Sequence, residues 1–165
     1  MISDSPLFQQ SITVYNRYII DDFGGGNSAF PPSMTQQIKY DRTIIQGVAW
    51  KEEVKINADN TGLSVPAKSI TIVIPLEAAQ RVEREQGKTF VKPQEFAKLP
   101  QDNFNHWTLR EGTADSDIII LGEGPELTTM YTERELRRDF KHTSPVQVSD
   151  ASDIDVMPGW LILGV

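Results

Sequence analysis

A chain of 165 residues with a formal charge of −7, no cysteine and two histidines, His106 and His142, excludes a disulfide framework, a thiolate metal cluster and a cysteine nucleophile. At 39% hydrophobic and 24% charged residues it has ordinary globular composition, enough for one domain over residues 1–165 that buries roughly 70% of its unfolded surface. The acid excess argues against wrapping nucleic acid, because neutralising phosphate needs clustered Lys and Arg.

No basic residue precedes Arg17, and the longest apolar runs, Ile118 to Leu121 and Trp160 to Leu163, are too short for a signal peptide or a membrane span. The expectation is synthesis and folding in a cytoplasm, with no membrane partner. Short apolar runs rich in β-branched residues and bounded by Gly, Pro, Asn and Asp then recur along the chain, which is the strand signature.

The first predicted strand is Ser11 to Asn16, with Tyr18-Ile19-Ile20 as an extension. The second is Arg42 to Trp50, where Gly47 inside the pattern predicts a bulge or sharp bend, and Glu53 to Ile56 continues it. Ser69 to Ile74, stopped by Pro75, is the cleanest run. Phe90-Val91, Trp107 to Leu109, Asp117 to Gly122, Val146 to Val148 and Gly159 to Leu163 follow. About eight short strands at this spacing predict a mainly β fold, a small barrel or sandwich with long loops. Trp50, Trp107 and Trp160 each fall in a strand pattern and are read as core.

One short C-terminal helix is signalled over 132–142. Thr132 and Glu135 form a capping box, Leu136 and Phe140 share one face, and Arg137, Arg138, Lys141 and His142 gather toward its end, where the helix dipole favours positive charge. It should lie on the sheet by a narrow apolar stripe. Leu76 to Gln86 has helix-forming composition with few apolar groups and ends at Gly87, which predicts a short surface helix or a mobile insertion. Residues 21–33, 57–68 and 76–101 are read as loop or insertion segments. The first of them holds Gly24-Gly25-Gly26 and then Phe30-Pro31-Pro32, a flexible half followed by a stiff one.

No constellation supports catalysis. The triple glycine lacks the Lys-Ser/Thr of a phosphate loop. Asp150 to Asp155 has some of the spacing of a calcium loop without its central Gly or closing Glu. Asp115, Asp117 and Glu123 flank one strand with no reason to converge, and His106 and Ser144 lack an evident triad. No catalytic residue, metal ligand or cofactor is expected.

The order of short motifs says more than any one of them. Ile12-Thr13-Val14-Tyr15-Asn16, Ile45 to Trp50, Gly62-Leu63, Ile70 to Pro75, Phe90 to Phe96, Trp107 to Gly112, Asp117 to Glu123 and a last strand with Trp160 succeed one another over nearly the whole chain. This order resembles a family of small proteins of tailed bacteriophages and prophages described as minor capsid or head–tail joining proteins. More distantly it resembles the β-barrel stopper proteins of the phage neck.

The resemblance implies a non-enzymatic virion component, a neck or stopper-like protein forming a homo-oligomeric ring, hexameric by preference, around the DNA channel. It implies portal-adaptor or tail-terminator proteins as neighbours, with DNA passing without specific binding. It also implies extended loops as contacts, with Phe23, Gly24, Gly25, Gly26, Phe30, Pro31 and Met34 in the first and Leu63 and Val65 in the second. Six such copies would bring about −42 charges to the ring, which would repel phosphate. A minor capsid or tail-terminator role in the same virion is the alternative. A small ligand-binding or hydrolytic β-domain is the reading from a different class.

Overall fold

In the computed structural model, residues 6–21, 36–58, 62, 64–100, 104–112, 117–150 and 159–164 are described. The elements in chain order are β1 (Gln10–Asp21), β2 (Gln36–Ala58), β3 (Ser64–Pro75), α1 (Leu76–Gln86), β4 (Thr89–Phe90), α2 (Pro93–Phe96), β5 (His106–Trp107), β6 (Ile118–Leu121), α3 (Glu133–Asp139), β7 (His142–Thr143), β8 (Pro145–Asp150) and β9 (Gly159–Gly164), after a 3-10 turn at Pro6–Phe8. Seven strands form one antiparallel sheet in the order β7-β6-β1-β2-β3-β9-β8, and β4 and β5 pair in parallel beside it.

The sheet is a nearly closed barrel, and chain connectivity shows why. Its two terminal strands, β7 and β8, are separated in sequence only by Ser144, so the sheet's two ends are held side by side. The Gly112 amide donates to the Pro145 carbonyl at 3.0 Å along the seam. Gly164 lies at the same corner, where an added Cβ would run into the Thr143 side chain and the Ser144 carbonyl.

β2 reaches both halves of the barrel because it bends. Residues 36–48 pair with β1 and residues 49–58 with β3. The register slips between Gln10↔Val48 and Ser11↔Gln46, leaving Gly47 as the extra residue at φ +80°, a conformation that glycine adopts without strain. The bend predicted from Gly47 is where the strand turns the barrel corner.

Alternate residues of the strands fill the interior. Ile12, Val14, Ile45, Val48, Trp50, Ile70, Ile72, Ile74, Trp160 and Ile162 are buried in one cluster with Trp107 and Leu109. All three tryptophans are therefore core. Phe90 bridges two of them, its ring centroid 5.0 Å from Trp107 and 4.4 Å from Trp160.

Two of the expected loops are largely regular structure. Within 57–68, β2 runs on to Ala58 and β3 starts at Ser64, because the hairpin zips almost to its tip through pairs such as Ile56↔Pro66 and Asn57↔Val65. Within 76–101, α1 is a packed helix rather than a mobile insertion. Ala78, Ala79 and Val82 are enough to seat it in the main core, since small side chains let the helix approach closely, and Gly87 caps it in the left-handed region. Its C-terminal end also covers the unpaired edge of β2. Gln86 Nε2 donates to the Ile44 carbonyl at 2.5 Å, and Lys88 bridges Asp41 at 2.8 Å and the Arg42 carbonyl.

The C-terminal helix lies where its stripe predicts. Leu136 is buried on the outer face of β1 and β6 with Tyr15, Ile118 and Ile120, and Phe140 packs beside it. The capping box is made, with the Thr132 amide donating to Glu135 at 2.9 Å. The helix ends at Asp139 rather than at residue 142. Phe140 is extended, and His142 and Thr143 pair with β6, because completing the barrel edge recruits them as a strand.

Candidate functional site

The most enzyme-like cluster sits where β1 meets β6, and its chemistry is already spent. Asp117 is buried, and its carboxylate accepts from Arg110 through two bonds of 2.6 and 2.8 Å, from Asn16 Nδ2 at 3.1 Å and from the Arg17 amide at 2.8 Å. Asn16 also exchanges bonds with the Thr108 backbone, donating to its carbonyl at 2.9 Å and accepting from its amide at 3.2 Å. A carboxylate with every lone-pair direction engaged is a structural latch, tying the 104–112 segment to the barrel, and not a free acid or base. The convergence on Asp117 runs through Asn16, Arg17 and Arg110, while Glu123 accepts from Gln46 and Asp115 lies outside the described residues.

The other candidates remain dispersed. His142 lies in β7 with Nδ1 3.2 Å from the Phe140 carbonyl, past the end of α3, so it follows the helix without terminating it. His106 pairs with Thr89 in the small parallel ribbon. A cleft of about 640 Å³ opens beside Phe90, Leu109 and Trp160. Of its polar lining, Arg110 is engaged with Asp117 and Glu111 with the Val148 amide at 2.9 Å, while Lys92, Gln94 and Asp150 also line it. Among the described residues no group of three or more His, Asp or Glu could hold a metal ion.

The barrel also carries exposed apolar side chains on two of its surfaces. β9 pairs with β3 only from Ile70 onward, and β1 pairs with β2 only up to Val48, so residues 53–58 and 64–69 form a two-stranded arm beyond the barrel. Strand alternation sorts its faces. Val54 and Ile56 share the parity of core Trp50 and lie opposite Lys68 and Pro66, while Lys51, Glu53 and Lys55 take the other face. Val54 and Ile56 are 65% and 71% exposed, on a face they share with Lys68 and Glu52. At the arm's base Glu52 accepts from Trp50 Nε1 at 3.0 Å and pairs with Lys68 and Lys141, each at 3.5 Å. The Trp50 hydrogen bond, ahead of the two lysines, holds its carboxyl below the usual range.

A second apolar surface lies on the outside of the wall. Leu161 and Leu163 of β9 are each 39% exposed, flanked by Val73 and Thr71 on β3 and by Ser149 and Gln147 on β8. The row through Leu163 and Thr71 continues onto Lys51 of β2.

Of the loop residues expected to contact partners, Phe23, Gly24, Gly25, Gly26, Phe30, Pro31, Met34 and Leu63 lie outside the described residues. Val65 is in β3 near the end of the arm, its backbone paired with Asn57. Val54, Ile56, Leu161 and Leu163 are among the exposed apolar groups that sequence reasoning passed over. Their alternation was visible, but alternation alone reads as a strand with one buried face, and only the extent of the neighbouring strands shows that these faces are bare.

The architecture is thus that of a small, nearly closed antiparallel β-barrel with a helix on its outer wall and a projecting hairpin arm. The chain belongs to a family of unknown function, DUF6751, whose model matches residues 7–165. No curated protein matches the chain, and no solved structure does.

Proposed function

We propose that the protein is a structural component of a tailed-phage virion, a neck or stopper-like head–tail connector that assembles as a ring around the DNA channel. The motif order along the chain is the basis for the phage assignment, and the observation that carries the connector role is the arm. A two-stranded ribbon is marginal on its own in water and becomes stable when its apolar face is covered. Val54 and Ile56 bare on such a ribbon are therefore groups awaiting a partner. Ring proteins that stack on neighbours use extensions of this kind, which add strands or lie in grooves. The net −7 fits a channel through which DNA must slide without adhering, since fixed negative charge repels phosphate.

The test is composition of purified particles. Tailed particles from the genome that encodes the chain, separated by density and quantified by mass spectrometry, should contain the protein at about six copies each. Absence from intact particles overturns the virion assignment. A deletion that still yields filled heads joined to tails overturns the connector role.

A further inference from the structure

We infer that Gln86 and Lys88 are a side-chain substitute for a missing strand, an autoinhibitory contact that holds the free edge of β2 closed against strand addition. They occupy the backbone groups that a further strand would use. The inference goes beyond the connector reading and does not depend on it.

The edge is long. Residues 36–48 of β2 pair with β1 on one side, and β3 takes up pairing only from Ala49, so no described strand lies along the other side of residues 36–48. Free N–H and C=O groups in such a row are a template for another chain. Alternation turns the backbone groups of every second residue to that side, and three bonds show which residues these are. The Ile44 amide donates to Gln86 Oε1 at 3.3 Å, Gln86 Nε2 donates to the Ile44 carbonyl at 2.5 Å, and Lys88 Nζ donates to the Arg42 carbonyl at 2.5 Å.

These bonds keep the register of an antiparallel ladder. Gln86 stands opposite Ile44 and Lys88 opposite Arg42, so a two-residue step forward in one segment matches a two-residue step back in the other. Gln86 gives one bond and takes one, as a strand residue does in a hydrogen-bonded pair. Gly87, at φ +68°, ends α1 between them, and the Asp41 carboxylate holds the Lys88 ammonium in place at 2.8 Å.

Side chains make this closure. A cleft of about 340 Å³ opens between α1 and β2 beside Ile44, Val82, Glu85 and Gln86, and the exposed Gln86 side chain bridges it. The guard at Ile44 therefore rests on a single amide group.

Gln86→Ala removes that donor and acceptor together and leaves a good helix former in the last turn of α1. Hydrogen exchange on the isolated protein should show the Ile44 amide at least about fivefold faster, for the loss of one hydrogen bond, with Thr43 and Ile45, which face β1, unchanged. Sedimentation should show self-association beyond that of wild type with an unchanged circular dichroism spectrum, because isolated protein offers the β2 edge of another copy as the added strand. Adding Ile44→Pro to Gln86→Ala takes away the edge donor without taking a bond from β1, and association should return to the wild-type level. A folded Gln86→Ala variant with no extra association overturns the inference even where Ile44 exchanges faster, since the bond would then serve the fold alone. Extra association that persists in the folded double variant also overturns it, by placing the contact away from this edge.

Discussion

At the scale of single residues, the Asp117 latch is the most sensitive point. Removing the carboxylate leaves the Arg110 guanidinium and the Asn16 amide without their partner at a buried site. Asp117→Ala should therefore lower stability by about 3–5 kcal/mol, read from the urea midpoint at constant slope. The capping box yields a pH prediction. Hydrogen bonds from Thr132 hold the Glu135 carboxyl below its ordinary 4.5. A depressed acid stabilises the fold above its unfolded value, and that contribution is lost as pH falls through the lower folded value. The difference in urea midpoint between wild type and Glu135→Gln should thus shrink between about pH 6 and pH 3; a constant difference would show that ionisation is not what the cap uses. The capping box was legible because its two residues are three apart. The latch was not, because Asp117 and Asn16 are 101 positions apart and only folding brings them together.

At the scale of elements, two devices shape the barrel and one covers it. Gly47 bends β2, and Gly164 lets β9 approach the corner between β7 and β8. Gly164→Ala must push the seam open, at a cost of about 1–3 kcal/mol for overpacking, and faster amide exchange should appear at Thr143 and Leu163 before it appears at the distant Ile45. Leu136→Ala removes the side chain by which α3 is seated on β1 and β6, at a cost of about 2–5 kcal/mol in the same urea assay. Most strands were readable from their β-branched runs, and Gly47 from its position inside one. β7 was not, since His142 and Thr143 carry no strand signal and are strand only because β6 offers them an edge. The depth at which α1 packs was hidden for a similar reason: two alanines and a valine look too sparse for a core face until the closeness of approach is known.

At the scale of the whole molecule, the charge that argues against nucleic-acid wrapping also bears on the proposed self-assembly. Copies carrying −7 each repel through their bodies, while Val54 and Ile56 on the arm are apolar and exposed. These two terms respond differently to salt. Raising ionic strength from about 0.01 M to about 0.15 M shortens the screening length from about 30 Å to about 8 Å, which suppresses repulsion between bodies and leaves apolar burial nearly unchanged. Self-association measured by light scattering should therefore strengthen over this range and be largely insensitive to further salt. Ile56→Lys should remove most of that association at every salt concentration, and its unfolding midpoint as a monomer should stay within about 0.5 kcal/mol of wild type, because an exposed residue on a ribbon outside the barrel contributes little to folding. Weakening with salt would instead place the attraction between charged groups. The lysines of the arm and the acidic groups of the neighbouring body would then be the contact, and the apolar faces would be incidental to it.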